Sequence, residues 1–157
     1  MFPAVVLAAS LSILQGMSQP PTDRTERIHK DSKGVMPFSM DSTQHVFRKT
    51  DSGGVQAVTT RKPDPDQEAL VRAHLRKITA QLQARDFSGP AHLHGAAMPG
   101  LRQMRESKTD QLEVTYADTT DGGQITYVAH TPALVDAVHR WFDAQVSDHG
   151  ADARMAR

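Results

Sequence analysis

Eight histidines and seven methionines stand in a chain of 157 residues without cysteine, so any metal or proton chemistry must run through imidazole, thioether and carboxylate groups. Imidazole nitrogen with methionine sulfur suits copper, and imidazole with carboxylate suits zinc, nickel or copper(II). The densest arrangement is GPAHLHGAAMPGL, residues 89–101. Its glycine and proline content predicts a loop and not a helix. In an extended piece His92 and His94, at i and i+2, point the same way, and Met98 folds back towards them across the GAA turn. His94 is the leading ligand, because the glycine after it lets the backbone turn aside and leave the imidazole free. A copper or zinc site usually wants three or four donors. The missing ones are expected from His139 and His149, which bracket the end of the last predicted helix. On an ideal helix these two lie about 80° apart, so they converge only if the helix stops near Ser147.

Each of these residues also has an ordinary reading. His139 has Asp136 and Asp143 at i−3 and i+4, which predicts a hydrogen bond along the helix surface. His74 flanks the first long helix in the same way, and His149 at a helix end favours the negative pole of the dipole. His45 shares a strand face with Phe47, which predicts partial burial. Asp148, beside His149, opens another option, a small hydrolase or lyase that uses a histidine with this carboxylate. Other catalytic patterns are missing from the sequence: it holds no G-x-S-x-G, no G-x-x-x-x-G-K and no H-E-x-x-H. The pairs Asp64 with Asp66 and Asp118 with Asp121 fall in segments that read as caps and turns.

Charge narrows the partners. Lysine plus arginine equals aspartate plus glutamate at 18 each, and no basic stripe is interleaved with aromatics, so nucleic acid is not an expected partner. The run FPAVVLAASLSIL near the N-terminus is shorter than the roughly 20 residues of a membrane span and suits the apolar part of a secretory signal. Residues 1–18 are therefore read as signal-like, with cleavage after Ser18 and a periplasmic or secreted protein. Residues 19–40 are polar, mixed in charge and without sustained periodicity, which predicts a tether.

The elements that must position the histidines begin after that. QHVFRKT and VQAVTTR flank DSGG, and LEVTYADT and QITYVAHT flank TDGG. Both are β-hairpin patterns. Val71, Leu75, Ile78 and Leu82 mark one amphipathic helix at about residues 66–85. Leu134, Val138, Trp141, Phe142 and Val146 mark a second at 132–147. The order predicts an α+β domain over residues 41–150: a ββα-ββα pseudo-repeat, with a four-stranded antiparallel sheet and two helices on one face, and then a tail, 151–157. Residues 87–111 link the halves, with a helical turn expected over Met98–Met104.

The stretches GVMPFSMDSTQHVFRKTDSGGVQAV, RDFSGPAHLHGAAMPGL and ALVDAVHRWFDAQVSDHGADA resemble a family of small exported bacterial proteins that carry the label aspartate carbamoyltransferase. The resemblance spans about residues 34–153, implies export and brings no established activity with it. The label itself disagrees with the sequence. A transcarbamoylase has two α/β domains, roughly twice this length, and a Ser-Thr-Arg-Thr-Arg phosphate-binding turn. The nearest string here is TTRKP, at a strand end. The expected function is binding or handling of copper or zinc through His92, His94, Met98, His139 and His149. The alternative is a non-catalytic domain that docks a protein partner on the open sheet face or on the WFDAQVSDHG end. An enzyme true to the family label is disfavoured.

Overall fold

The computed structural model describes residues 21–156; the signal-like segment and its cleavage point lie outside the described residues. The first described element corrects an expectation. Residues Pro21–Val35 form helix α1 and not a tether. Arg24, Ile28 and Ser32 recur at i, i+4 and i+8 on one side, and Ile28 and Ser32 are fully buried. Only one residue of that stripe is apolar, so the inward face carries no hydrophobic period that a sequence reading could detect.

Strands β1 (Thr43–Thr50) and β2 (Gly53–Thr60) form the first hairpin, and β3 (Leu112–Thr119) and β4 (Gly122–Ala129) form the second. The expected four antiparallel strands are present, and a fifth joins them. Ala153–Met155 forms β5, which pairs in parallel with β1 and gives the sheet order β3-β4-β2-β1-β5. Part of what was expected to be a tail thus closes one sheet edge.

The long helices are α2 (Pro65–Gln83) and α5 (Pro132–His149). Each starts with proline after a capping side chain: Asp64 Oδ1 accepts from the Gln67 N–H, and Thr131 Oγ1 accepts from the Leu134 N–H. Their inward side chains meet one face of the sheet, where Phe47, Val58, Ile125 and Tyr127 are fully buried. Two glycines make the seats. A Cβ at Gly54 would lie 2.5 Å from the Phe142 ring of α5, and one at Gly123 would lie 3.3 Å from Leu75 of α2.

These two seats belong to an internal two-fold relation. Aligning Gly53 with Gly122 and Pro65 with Pro132 maps the central β2–β4 pairing onto itself, since Gly53 pairs with Val128 and Gly122 with Thr59. Each helix crosses the axis: α2 packs mainly on β4 and β3, and α5 spans β2, β4, β1 and β5. The polar contacts follow the same rule. Arg72 of α2 donates to the carbonyls of Gly122 and Thr119, both at 2.9 Å. His139 of α5 donates to the equivalent carbonyls of Gly53 and Thr50, at 2.9 and 3.0 Å. The ion pairs Arg76–Asp118 and Lys49–Asp143 are also equivalent, with their signs exchanged between helix and strand.

The link between the halves carries two short helices, α3 (Ser88–His94) and α4 (Leu101–Glu106). The expected glycine-rich loop at 89–94 is therefore helical. Pro90 falls in the first turn, where its missing N–H leaves no intrahelical bond unmade, and Gly95, at φ 94°, ends the helix. The helical turn expected over Met98–Met104 begins three residues later, at Leu101, as α4.

Candidate functional site

The packing of α1 and α3 on the gap between α2 and α5 leaves a cavity of about 70 Å³ above the sheet, room for several ordered waters or a small molecule. Four histidines from four elements line it: His45 of β1, His74 of α2, His94 of α3 and His149 of α5. Gln56, Gln145 and Trp141 add further polar groups. Leu75, Ile78, Pro90 and Leu93 supply apolar wall.

The two-fold relation shows that the fold does not require these polar side chains. The position equivalent to His45 is Val114, to Gln56 is Ile125, to Gln145 is Ile78 and to His149 is Leu82. All four polar residues are buried. Burial of imidazole and amide groups where the same architecture accepts valine, isoleucine and leucine costs free energy unless each finds a partner. Some do not find one among the described residues: His45 Nδ1, His149 Nδ1 and the indole N–H of Trp141 are buried there without a hydrogen-bond partner.

His94 is the best-held member. Its Nδ1 lies 2.9 Å from Asp148 Oδ2, and because a carboxylate only accepts, the ring donates there and keeps Nε2 for another partner. Asp148 is held in turn by Arg24 of α1, whose Nε and Nη2 donate to Oδ1 and Oδ2 at 2.6 and 2.8 Å. The same Arg24 Nη2 donates to the His94 carbonyl at 2.7 Å. Burial pushes the Asp148 carboxyl up, but the hydrogen bonds from His94 and Arg24, with the charge of Arg24, outweigh it and hold the group at about 2. The carboxylate is therefore ionised and fixes the His94 tautomer.

The other rings are kept neutral. Burial, together with His74 nearby, lowers His45 to about 4, and burial with Lys77 does the same to His74. His149 is lowered well below its ordinary value, first by burial and then by His45 and His94. The rings lie close together: His149 is parallel to His45 with centroids 4.9 Å apart and edge-on to His94, also at 4.9 Å. Gln56 is oriented by Tyr127, whose hydroxyl donates to its Oε1 at 3.0 Å, leaving the amide NH₂ as its free end.

The five residues singled out from the sequence part company here. His94 and His149 meet in the cavity. His92, one residue before Leu93 on α3, is exposed, because on a helix i and i+2 point apart. Met98 is buried in the hydrophobic core and lines a groove on the outer side of His94, not the cavity. His139 caps the first hairpin through its two carbonyl contacts, while its expected helix-surface partners are engaged elsewhere, Asp136 with Arg140 and Asp143 with Lys49. The helix runs on to His149, so His139 and His149 do not converge. Among the described residues no group of three or more His, Cys, Asp or Glu side chains is arranged to hold a metal ion.

The sequence reading missed Arg24 and Gln56, and it set His45 and His74 aside as ordinary positions. The signal that could have found two of these was the internal repeat itself, in which His45 and Gln56 replace apolar residues. Comparisons with protein-family models, with curated proteins and with solved structures return no match for this chain.

Proposed function

We propose that this protein binds a small organic molecule in the histidine-lined cavity and exchanges a proton with it through His94. The observation that carries this reading is the Arg24–Asp148–His94 chain, which runs from a half-exposed guanidinium through a buried carboxylate to a buried imidazole at a cavity wall. A carboxylate behind one ring nitrogen fixes the tautomer and stabilises the imidazolium that forms when the other nitrogen takes a proton, the arrangement general acid–base catalysis needs. Neutral His45, His74 and His149 add hydrogen-bonding capacity without adding charge.

A second reading, copper or zinc binding, is favoured by a different aspect of the same cluster. A carboxylate behind an imidazole is also how metal-binding histidines are oriented, and His45 and His149 each have an unpartnered buried nitrogen beside His94. This moves the metal reading from His92, Met98 and His139 to His45, His94 and His149, whose rings would have to turn to share an ion.

Trp141 is the only tryptophan in the chain and lines the cavity, so its fluorescence reports occupancy directly. Phenol is expected to change Trp141 emission saturably and to shift the His94 Nε2 resonance in a ¹⁵N spectrum while that of His139 stays in place. Asp148→Asn should weaken the His94 shift by at least about tenfold in phenol affinity, the loss of one charge-assisted hydrogen bond. No saturable response to phenol or to small amides, carboxylates and amidinium ions overturns the small-molecule reading. Zinc or copper that shifts His45, His94 and His149 together at stoichiometric concentration replaces it with the metal reading.

A further inference from the structure

The chemistry of the cavity lining restricts what can enter. Among the described residues the lining contains no aspartate, glutamate, lysine or arginine. Asp148 and Arg24 neutralise one another behind His94, and Lys77 and Asp152, beside His74 and His45, lie outside the lining. A charged ligand would lose its hydration and meet no counter-ion, which is costly inside a protein.

Three groups of the lining have a defined sense of hydrogen bonding. Trp141 can only donate, and its N–H has no acceptor among the described residues. Gln56 has its oxygen taken by Tyr127, so its free end donates as well. His94, with Nδ1 donating to Asp148, offers Nε2 as an acceptor in its neutral form. A molecule that satisfies these groups brings an acceptor for the indole and amide donors and an N–H or O–H for the imidazole. Apolar wall from Leu75, Ile78 and Leu93 accommodates the rest of it.

We infer that the cavity selects uncharged molecules that pair a carbonyl-type acceptor with an adjacent N–H or O–H donor, the carboxamide class, and rejects carboxylates and amidinium cations of the same shape. The neutrality of His45, His74 and His149 at neutral pH supports this, since each ring counts as a dipole and not as a cation there. The inference rests on the proposed small-molecule site and adds its substrate class.

The test is an isosteric series read by Trp141 fluorescence at pH 7.5 on the full chain: benzamide, benzoate and benzamidinium, with acetamide, acetate and acetamidinium as a smaller set. An amide is expected to bind at least tenfold more tightly than its charged partners. Gln145→Glu, which adds a carboxylate to the lining, is expected to turn the preference towards the amidinium. Equal binding of a charged member, or binding of phenol without binding of either amide, overturns the carboxamide inference and leaves the small-molecule reading standing. If neither phenol nor any member of the series changes Trp141 emission, the small-molecule reading falls and takes this inference with it. The wild-type series decides the matter even if the glutamate variant does not fold.

Discussion

At the scale of residues, the buried histidines tie stability to pH in a direction that can be worked out. His45 sits at about 4 in the folded protein against 6.5 ordinarily, with His74 and His94 opposing its charge and Asp152 favouring it. Between those values the unfolded chain binds the proton and the folded chain does not, so stability rises with pH across the window. His74 and His149 act in the same sense. Stability is therefore expected to be fully present above about pH 6.5 and to fall as the pH drops towards 4. Asp148 adds a second loss at lower pH. Its carboxyl is held at about 2 against 3.8 ordinarily, so its contribution is present above 3.8 and disappears as the pH falls towards 2. Urea midpoints at pH 7.5, 5, 3.5 and 2 measure both steps, and His45→Gln should make the upper one shallower. A midpoint that stays level from pH 7.5 to 5 would mean that these rings take up protons as readily in the fold as in the unfolded chain.

At the scale of elements, His139 and Arg72 do one job in two chemistries. Each reaches from a long helix across the two-fold to close the turn of the other half's hairpin with two carbonyl contacts. His139→Ala should cost about 1–2 kcal/mol in denaturant melts, the loss of a shared hydrogen bond to buried backbone, and leave phenol and zinc titrations unchanged. The same elements show what a sequence can disclose. Both hairpins and both long helices were legible, because Gly pairs, capping residues and apolar periods are local signals. Helix α1 was not, since its inward stripe of Arg24, Ile28 and Ser32 is mostly polar. Strand β5 is three residues long and exists only because β1 offers it an edge. Helix α3 was hidden by Gly89 and Pro90, which are permitted in a first turn. Of the site, His94 and His149 could be nominated by type and spacing, but their meeting with His45 and His74 depends on four elements converging, and no spacing along the chain encodes that.

At the scale of the whole molecule, the crossing of the helices over the two-fold has a consequence for how the chain can be cut. Each long helix packs on strands of both halves, so each half helps to cover the other, and the central pairing of β2 with β4 joins them edge to edge. The peptide bond at Lys108 lies in an exposed turn between α4 and β3, where its carbonyl accepts from Arg85 Nη2 at 2.8 Å, and it takes no part in the central strand pairing. Limited trypsin treatment at that lysine should yield two fragments that elute together at the size of the intact protein and keep Trp141 buried. They should part only in denaturant and recombine on its removal, by non-covalent complementation of two pieces neither of which folds alone. Fragments that drift apart in plain buffer would show that the backbone, and not the interlocking of the halves, holds the histidine cavity closed.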